Sequence, residues 1–252
     1  MNKSMEGRLA LVTGATSGIG KATAERLLAE GAEVIGTGRR FERLEAMQEA
    51  LGDRFKIARL DMTDREQVAD FASDLAQTPD ILINNAGLAL GLSGADAASL
   101  DDWDRMIDTN CRGLVHITRA LLPKMKAMDR ADVVNISSVA GSYPYPGGNV
   151  YGATKAFVTQ FSLNLRADLV GSRVRVTSVE PGLTETEFSE VRFAGDKAKA
   201  AQIYEGTDNL TADDIARVIG DTLLLPAHIN INRVEIMPVT QAFGPFAIAR
   251  DA

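Results

Sequence analysis

The sequence has few of the residues that build disulfides, metal centres or membrane spans. It contains 1 cysteine and 2 histidines, so Cys111 cannot form an internal disulfide or complete a metal site with His116 and His228. No stretch approaches the ~18 apolar residues of a membrane span, and Met1 to Arg8 lacks the apolar core of a signal peptide. The formal net charge of -7 leaves no basic stripe for nucleic acid or an anionic membrane. These absences predict a metal-free cytoplasmic protein.

Short apolar runs alternate with helical stretches along most of the chain, without a Pro/Gly/Ser linker. Residues of the hydrophobic class make up 45% of the sequence, which is ample for a core at this length. The predicted strands are mostly β-branched with little alternation, as in parallel strands buried on both faces: Leu9–Thr13, Glu33–Gly36, Phe55–Arg59, Ile81–Asn84, Asp132–Ser137, Arg173–Val179 and Arg233–Met237. The predicted helices are Gly20–Glu30, Glu42–Leu51, Arg65–Ala76, Leu100–Met128, Tyr151–Gly171 and Thr211–Leu224. This order predicts an α/β fold, a single Rossmann-type domain over residues 1–252 with a doubly wound, seven-stranded parallel sheet. Met5 is a second candidate start, which would make Met1–Ser4 an extension.

A glycine pattern follows the first predicted strand. Leu9–Thr13 leads into Gly14-x3-Gly18-x-Gly20 and then into a helical stretch. Glycines in this setting let the backbone approach a pyrophosphate, whose charge suits the N-terminus of the following helix. The second strand downstream favours this interpretation over a simple turn. We therefore predict that the loop binds a nucleotide through Gly14, Thr16, Ser17, Gly18, Ile19 and Gly20.

An arginine pair follows the second predicted strand. Gly38-Arg39-Arg40 has no acidic residue before Glu42, whereas NAD-binding proteins place an acid here that repels a 2′-phosphate. Two guanidiniums offer planar, charge-assisted contacts to a phosphate. Cations at a helix start otherwise oppose the helix dipole, which weakens the alternative of a solvated basic pair. The pair therefore predicts NADP(H).

Polar residues also follow the fourth strand. Gly87 in Asn85-Ala86-Gly87 lets the backbone pass close to a ribose, and Asn85 would hold the loop or the ribose by hydrogen bonds. A simple turn is the alternative, since these residue types also favour turns. The carboxyl ends of parallel strands meet at one edge of the sheet, where we expect these residues to join the glycine loop.

Ser138, Tyr151 and Lys155 supply the parts for moving a proton and a hydride at a carbinol carbon. Tyr151 and Lys155 are four residues apart in a helical pattern, so both side chains lie on one face. A tyrosine ionises near pH ~10, and an adjacent ammonium is expected to lower that pKa toward the working range. Ser138 ends a predicted strand, from which its hydroxyl can reach the same substrate oxygen.

These motifs together closely resemble the short-chain dehydrogenase/reductase family over nearly the whole chain. The flanking segments narrow the resemblance to the NADP-dependent 3-hydroxy acid dehydrogenases, also called serine 3-dehydrogenases or malonic semialdehyde reductases. The segments that carry it are Thr37–Arg40, Asn85–Gly91, Ile107–Asn110, Gly147–Phe157 and Pro238–Gln241. The resemblance implies reversible hydride transfer between NADP(H) and a short 3-hydroxy acid or its 3-oxo form.

The resemblance also implies further site residues. Asp61 accepts from the adenine amino group beside Met62, although Asp61 to Asp64 also resembles a helix cap. Asn110, through its side chain or a local kink, holds a water that links Lys155 to solvent. The backbone of Pro181-Gly182 meets the nicotinamide carboxamide, with Thr186 or Thr184 on the amide or a phosphate.

The resemblance implies a homotetramer as well. The helices Leu100–Met128 and Tyr151–Gly171 pair across a two-fold axis. The last helix, the last strand and the apolar tail from Pro238 to Ala252 form a second interface.

The segment from Leu183 to Asn209 is long for a connection, and we predict a lid over the substrate. A surface excursion with one short helix is the alternative. Within the lid, Arg192 is the candidate for the substrate carboxylate, because arginine pairs bidentately with carboxylates. An internal ion pair with Glu187, Glu190 or Asp196 would explain Arg192 equally well.

Two other functions remain compatible with the motifs. A reductase of another carbonyl class would act on 3-oxoacyl thioesters, sugars or steroids, but the aromatic content of 6% argues against a large apolar substrate. A non-catalytic NADP-binding protein would keep the nucleotide fold alone. Such a protein should have lost Ser138, Tyr151 or Lys155, and all three are present.

Overall fold

Seven parallel strands form the central sheet of the computed structural model, which describes residues 5–193 and 195–244. The strands lie in the order β3-β2-β1-β4-β5-β6-β9. Their bounds are β1 Leu9–Thr13, β2 Glu33–Gly38, β3 Phe55–Arg59, β4 Ile81–Asn84, β5 Ala131–Ile136, β6 Val174–Pro181 and β9 Arg233–Ile236. Two short strands, β7 Thr184–Glu185 and β8 Leu210–Thr211, pair with each other outside this sheet. The α/β class and the seven-stranded parallel sheet predicted from the sequence are confirmed.

Helices cover both faces of the sheet because the central strands are apolar on both sides. The helices are α1 Gly18–Ala29, α2 Phe41–Leu51, α3 Arg65–Asp74, α4 Leu100–Ile107, α5 Leu114–Met125, α6 Asn149–Asp168, α7 Phe188–Arg192, α8 Lys197–Gln202 and α9 Ala212–Leu224. Along β1, Ala10 and Val12 pack on the core of α1, α2 and α9, while Leu9 and Leu11 pack on the core of α3, α5 and α6. No helix in the described part of the chain is long and apolar enough to cross a membrane.

The predicted helix Leu100–Met128 is wrong as one continuous α-helix. A π-helical turn, Asp108–Gly113, separates α4 from α5. Two contacts with other segments accompany the turn: the Asn110 side chain bonds to the backbone of Leu88, and Gly113 packs so closely on Met62 that a Cβ would lie 2.5 Å from the Met62 carbonyl oxygen. Such turns inside helices are frequent at functional sites.

Strand order reverses between β1 and β4. From β1 the chain moves to β2 and β3 on one side of the sheet, and β4, β5, β6 and β9 lie on the other. Connections therefore leave β1 and β4 in opposite directions, which opens a crevice at their carboxyl ends. The predicted functional residues follow these strand ends, so the topology brings them to one crevice.

Candidate active site

A cavity of about 400 Å³ lies at the carboxyl ends of the central strands. Nearly all predicted site residues line it: Gly14, Thr16, Ser17, Gly18, Ile19, Arg39, Arg40, Asp61, Met62, Asn85, Ala86, Gly87, Ser138, Tyr151, Lys155, Pro181, Gly182, Thr184 and Thr186. Gly20, Asn110 and Arg192 are predicted site residues that do not line the cavity wall. The structure adds residues that the sequence did not assign to the site, chiefly Glu187, Phe188 and Val191 of the predicted lid.

The glycine loop offers free backbone donors to an anion. Gly14 and Gly18 have positive φ angles of 67° and 53°, which turn the chain into α1. Ser17 precedes this helix, but its side chain does not cap it, and the first turn contains no acid. The amides of Gly18, Ile19 and Gly20 stand in the first turn, where an α-helix supplies no internal acceptor. This donor set fits the pyrophosphate of a dinucleotide.

Gly20 packs against the glycine loop on the side away from the cavity. A Cβ on Gly20 would lie 2.3 Å from Asn85 Nδ2 and 2.4 Å from the Gly14 carbonyl oxygen. Real side chains cannot approach a backbone oxygen so closely. Glycine is therefore required here so that Asn85 and the Gly14 backbone can pack against it, and not for a place in the cavity wall.

Asn85 ties the loop after β4 to the loop after β1. Its Nδ2 donates to the carbonyl oxygens of Thr13 at 2.9 Å and Gly14 at 3.1 Å. Thr13 also joins the two loops, because its Oγ1 accepts from the amides of Asn85 and Ala86 at 3.1 and 3.0 Å. The sequence did not single out this threonine. The predicted loop-holding role of Asn85 is what this geometry displays.

Arg40 lies between the glycine loop and the predicted lid. Its guanidinium donates to Thr16 Oγ1 and Ser17 Oγ at 2.8 and 2.7 Å, and to Glu187 Oε2 at 3.0 Å. Arg43 also pairs with Glu187, at 2.7 Å. Partial burial would raise the pKa of Glu187, but hydrogen bonds from Arg43 and Arg40 outweigh it and lower that pKa. Arg40 and Glu187 are each 42% exposed, so this bridge stabilises the fold little.

Two aspartates differ in their contacts at the predicted adenine end of the cavity: one caps helix α3 and the other lines the cavity. Asp64 caps α3 by accepting from the Gln67 amide at 3.0 Å. Asp61 Oδ1 accepts from the amide and hydroxyl of Thr63 at 3.0 and 2.8 Å, and Asp61 lines the cavity beside Met62. The helix cap that the sequence suggested between Asp61 and Asp64 is therefore made by Asp64.

Burial dominates the ionisation of Tyr151. It raises the pKa of Tyr151 to about 12, although a hydrogen bond with Ser138 opposes the rise. Burial likewise lowers the pKa of Lys155 to about 8. Lys155 Nζ donates to the Ile136 carbonyl oxygen at 2.8 Å and lies 5.8 Å from the centroid of the Tyr151 ring. The expected lowering of the Tyr151 pKa by Lys155 is therefore not seen in this structure, because the ammonium donates to the backbone instead of the phenol.

Asn110 sits in the π-helical turn with its side chain fully engaged. Its Oδ1 accepts from the Leu88 amide, and its Nδ2 donates to the Leu88 carbonyl oxygen and to Thr154 Oγ1, at 2.8, 2.8 and 3.0 Å. A Cβ on Gly87 would lie 3.2 Å from Asn110 Oδ1 and 3.4 Å from Lys155 Nζ. The Asn110 side chain is thus committed to Leu88 and Thr154, and the water near Lys155 stays a prediction.

Arg192 lies at the reacting end of the crevice, near the Tyr151 ring. Its Nη2 donates to Tyr145 Oη at 2.7 Å, and its Nε donates to the Gly91 carbonyl oxygen at 3.3 Å. The alternative ion pairs do not form among the described residues, since Glu187 binds Arg40 and Arg43, and Asp196 binds Lys199. The sequence could have indicated Tyr145 only through its position six residues before Tyr151.

The lid segment begins and ends side by side. β7 and β8 pair through Thr184–Leu210 and Glu185–Thr211, which fastens the base of the segment. Between them lie two short helices, where the sequence suggested no more than one. Phe188 packs on Tyr151 with ring centroids 5.6 Å apart.

Comparison with known proteins agrees with this geometry. The family described as short chain dehydrogenase matches residues 8–197. The chain is 53% identical to the NADP-dependent 3-hydroxy acid dehydrogenase YdfG of Salmonella typhi, over 96% of this chain and 99% of that protein. It is 51% identical to a serine 3-dehydrogenase of Rhizobium radiobacter, over 96% of this chain and 98% of that protein. A solved closed form of serine dehydrogenase complexed with NADP+ matches with a TM-score of 0.94 and 51% identity, over 96% of this chain and all of that one. The chain therefore belongs to the short-chain dehydrogenase family.

Proposed function

We propose that the protein is an NADP-dependent oxidoreductase that transfers a hydride reversibly between NADP(H) and a short 3-hydroxy acid or its 3-oxo form. Serine, allo-threonine and 3-hydroxypropionate represent the substrate class. The observation that carries the proposal is the convergence of Ser138, Tyr151 and Lys155 on the cavity that the glycine loop and Arg40 also line. The names of the relatives at about half identity support the same chemistry.

The cavity residues divide into five groups along a dinucleotide. The loop Gly14–Gly20 would hold the pyrophosphate, Arg39 and Arg40 the 2′-phosphate, and Asp61 with Met62 the adenine. Asn85, Ala86 and Gly87 would line the ribose, and Pro181, Gly182, Thr184 and Thr186 the nicotinamide end. When bound, NADP(H) supplies or accepts the hydride.

Tyr151 is the proposed proton donor and acceptor. During reduction its phenol gives a proton to the carbonyl oxygen of the substrate, and during oxidation its phenolate removes the hydroxyl proton. Ser138 stabilises the charge that develops on the same oxygen. Lys155 would hold the nicotinamide ribose, and Asn110 supports the path of the proton to solvent.

The substrate class separates this proposal from the nearest alternative, a reductase of another carbonyl class. Consumption of NADPH should be measured with malonic semialdehyde and with an acetoacetyl thioester. We expect a higher kcat/KM for the semialdehyde. Preference for the thioester would reject the hydroxy-acid assignment but keep the oxidoreductase, while NADPH binding without turnover on any carbonyl would favour a non-catalytic protein.

Tyr151→Phe should nearly abolish turnover and leave NADPH binding within a few fold. Only the phenol oxygen transfers the proton, whereas the ring packs on Phe188 in either residue. Steady-state assays and fluorescence titration with NADPH measure the two properties. Retention of more than roughly a tenth of the activity would contradict the proton-transfer role, because the activation barrier would then have risen by less than ~1.4 kcal/mol.

The ligand-free protein should keep Tyr151 protonated well above the ordinary tyrosine pKa. Burial disfavours the charged phenolate and raises the pKa to about 12, so ionisation is displaced to higher pH. The absorbance of tyrosinate should be titrated in the wild type and in Tyr151→Phe, with circular dichroism to verify that both remain folded. The difference curve should stay flat up to pH ~10. A step near neutral pH would mean that Lys155 controls Tyr151 even without cofactor.

Replacing Arg39 and Arg40 together with alanine should weaken binding of NADPH roughly tenfold or more, ~1.4 kcal/mol, while NADH binding changes little. The physical reason is the loss of charge-assisted hydrogen bonds to a group that NADH lacks. Lys56→Ala removes a cation on β3, which pairs with Glu33 outside the cavity, and serves as the control. Equal weakening of both cofactors would assign the pair a structural role, through the bonds of Arg40 to Thr16 and Ser17.

A homotetramer remains a prediction, as does a cytoplasmic location. Apolar exposure on the proposed helical interface supports assembly: Phe157 is 43% exposed and stacks on Phe161 of the same helix. Val239 and Phe243 of the tail are also exposed, and residues 245–252 lie outside the described part. Light scattering at micromolar concentration should give four times the chain mass. Phe157→Glu should lower the mass, and a monomeric wild type would reject the assembly.

A further inference from the structure

Tyr145 holds the arginine nearest the reacting end of the cavity. We propose that Tyr145 is a positioning residue that orients Arg192 for the carboxylate of the substrate, and that this pair sets the preference for acids over neutral alcohols. The inference rests on the proposed function and deepens it. Tyr145 acts through Arg192, because its hydroxyl accepts a hydrogen bond from the guanidinium.

The backbone fixes the place of the Tyr145 ring. Tyr145-Pro146-Gly147-Gly148 forms a tight turn, in which the Gly148 amide donates to the Tyr145 carbonyl oxygen at 3.0 Å and Gly147 has a φ of 77°. Proline followed by a residue of positive φ is the pattern of a type II turn. A Cβ on Gly148 would lie 2.8 Å from the Tyr145 ring, so the ring packs directly on the backbone. Because Gly148 precedes α6, the same short segment places Tyr145 and the proposed proton donor Tyr151.

The tyrosine hydroxyl and a backbone oxygen then fix the guanidinium. Nη2 donates to Tyr145 Oη and Nε donates to the Gly91 carbonyl oxygen, while the Gly91 amide donates back to the Arg192 carbonyl oxygen at 3.1 Å. The central carbon Cζ lies 5.4 Å from the centroid of the Tyr145 ring and 5.6 Å from that of the Tyr151 ring. Arg192 is thereby clamped from two sides, with its charge beside the residue that meets the reacting oxygen.

The clamp leaves Arg192 without an anion. Its other N–H groups have no hydrogen-bond partner among residues 5–193 and 195–244, and no carboxylate of those residues lies within ion-pair distance. A guanidinium presents several donors in a plane, and a carboxylate can accept two of them at once. A short acid whose carbinol oxygen reaches Ser138 and Tyr151 would supply that anion. A neutral alcohol would gain nothing from the arrangement.

Tyr145→Phe removes the hydroxyl and keeps the ring, so it isolates the positioning contact. Oxidation of 3-hydroxypropionate should be compared with oxidation of 1,3-propanediol, which carries a neutral hydroxymethyl group in place of the carboxylate. We expect kcat/KM for the acid, relative to the diol, to fall roughly tenfold, mainly through KM. Tyr143→Phe is the matched control and should leave the ratio unchanged. Tyr143 lies two residues before Tyr145, but its hydroxyl donates to Glu235 of β9 at the surface.

Arg192→Leu completes the test. Alone it should lower the acid-to-diol ratio at least as far as Tyr145→Phe does. In the Arg192→Leu background, Tyr145→Phe should have no further effect, since the residue acts only through Arg192. Thermal unfolding and NADPH binding are measured for every variant, and Tyr145→Leu provides a second substitution should the phenylalanine variant unfold.

The outcomes separate the two proposals. Equal loss on acid and diol, or additive effects of the two substitutions, would overturn the positioning role and make the pair a support for the lid. A wild type that oxidises the diol as well as any 3-hydroxy acid would reject the proposed substrate class itself. Selective loss on the acid, coupled between the two residues, supports both.

Discussion

The hydrogen bonds between Asn85 and the end of β1 are the interaction on which the rest of the site depends. Strand order reverses between β1 and β4, so the two loops that leave these strands would otherwise separate. The Asn85 amide joins them by donating to the carbonyl oxygens of Thr13 and Gly14. The same contact fixes the position of the glycine loop. Two residues after Asn85, Gly87 passes close to Lys155 and Asn110. The glycine loop and the loop that reaches Lys155 therefore share one anchor.

Burial is the second constraint, and it shifts the pKa values of Tyr151 and Lys155 in opposite directions. Both side chains are buried, and burial favours the neutral form of each, which raises the tyrosine pKa and lowers the lysine pKa. The Ile136 carbonyl oxygen gives the Lys155 ammonium a polar partner at the end of β5. Burial thus favours the protonated form of Tyr151, the form that acts as the proton donor in the proposed reduction.

The sequence predicted the parts that depend on local pattern and failed where distant segments decide the outcome. The β-branched runs and the glycine spacing are local signals, and the sheet and the glycine loop follow them. The π-helical turn was missed because it depends on Asn110 meeting Leu88 and on Gly113 meeting Met62, which no periodicity displays. The same limit applies to Glu187, whose arginine partners lie more than a hundred positions away in the chain. Strand ends shifted by a residue or two for a simpler reason, since hydropathy does not mark where a ladder of hydrogen bonds stops.

The helix α7 joins the two ends of the cavity. Glu187 at its start contacts Arg40 and Arg43 at the proposed phosphate end, whereas Phe188 packs on Tyr151 and Arg192 reaches Tyr145 at the reacting end. Five residues of helix cannot move at one end without moving at the other, because they form little more than one turn. The proposed phosphate end and the reacting end of the cavity therefore meet on one short helix.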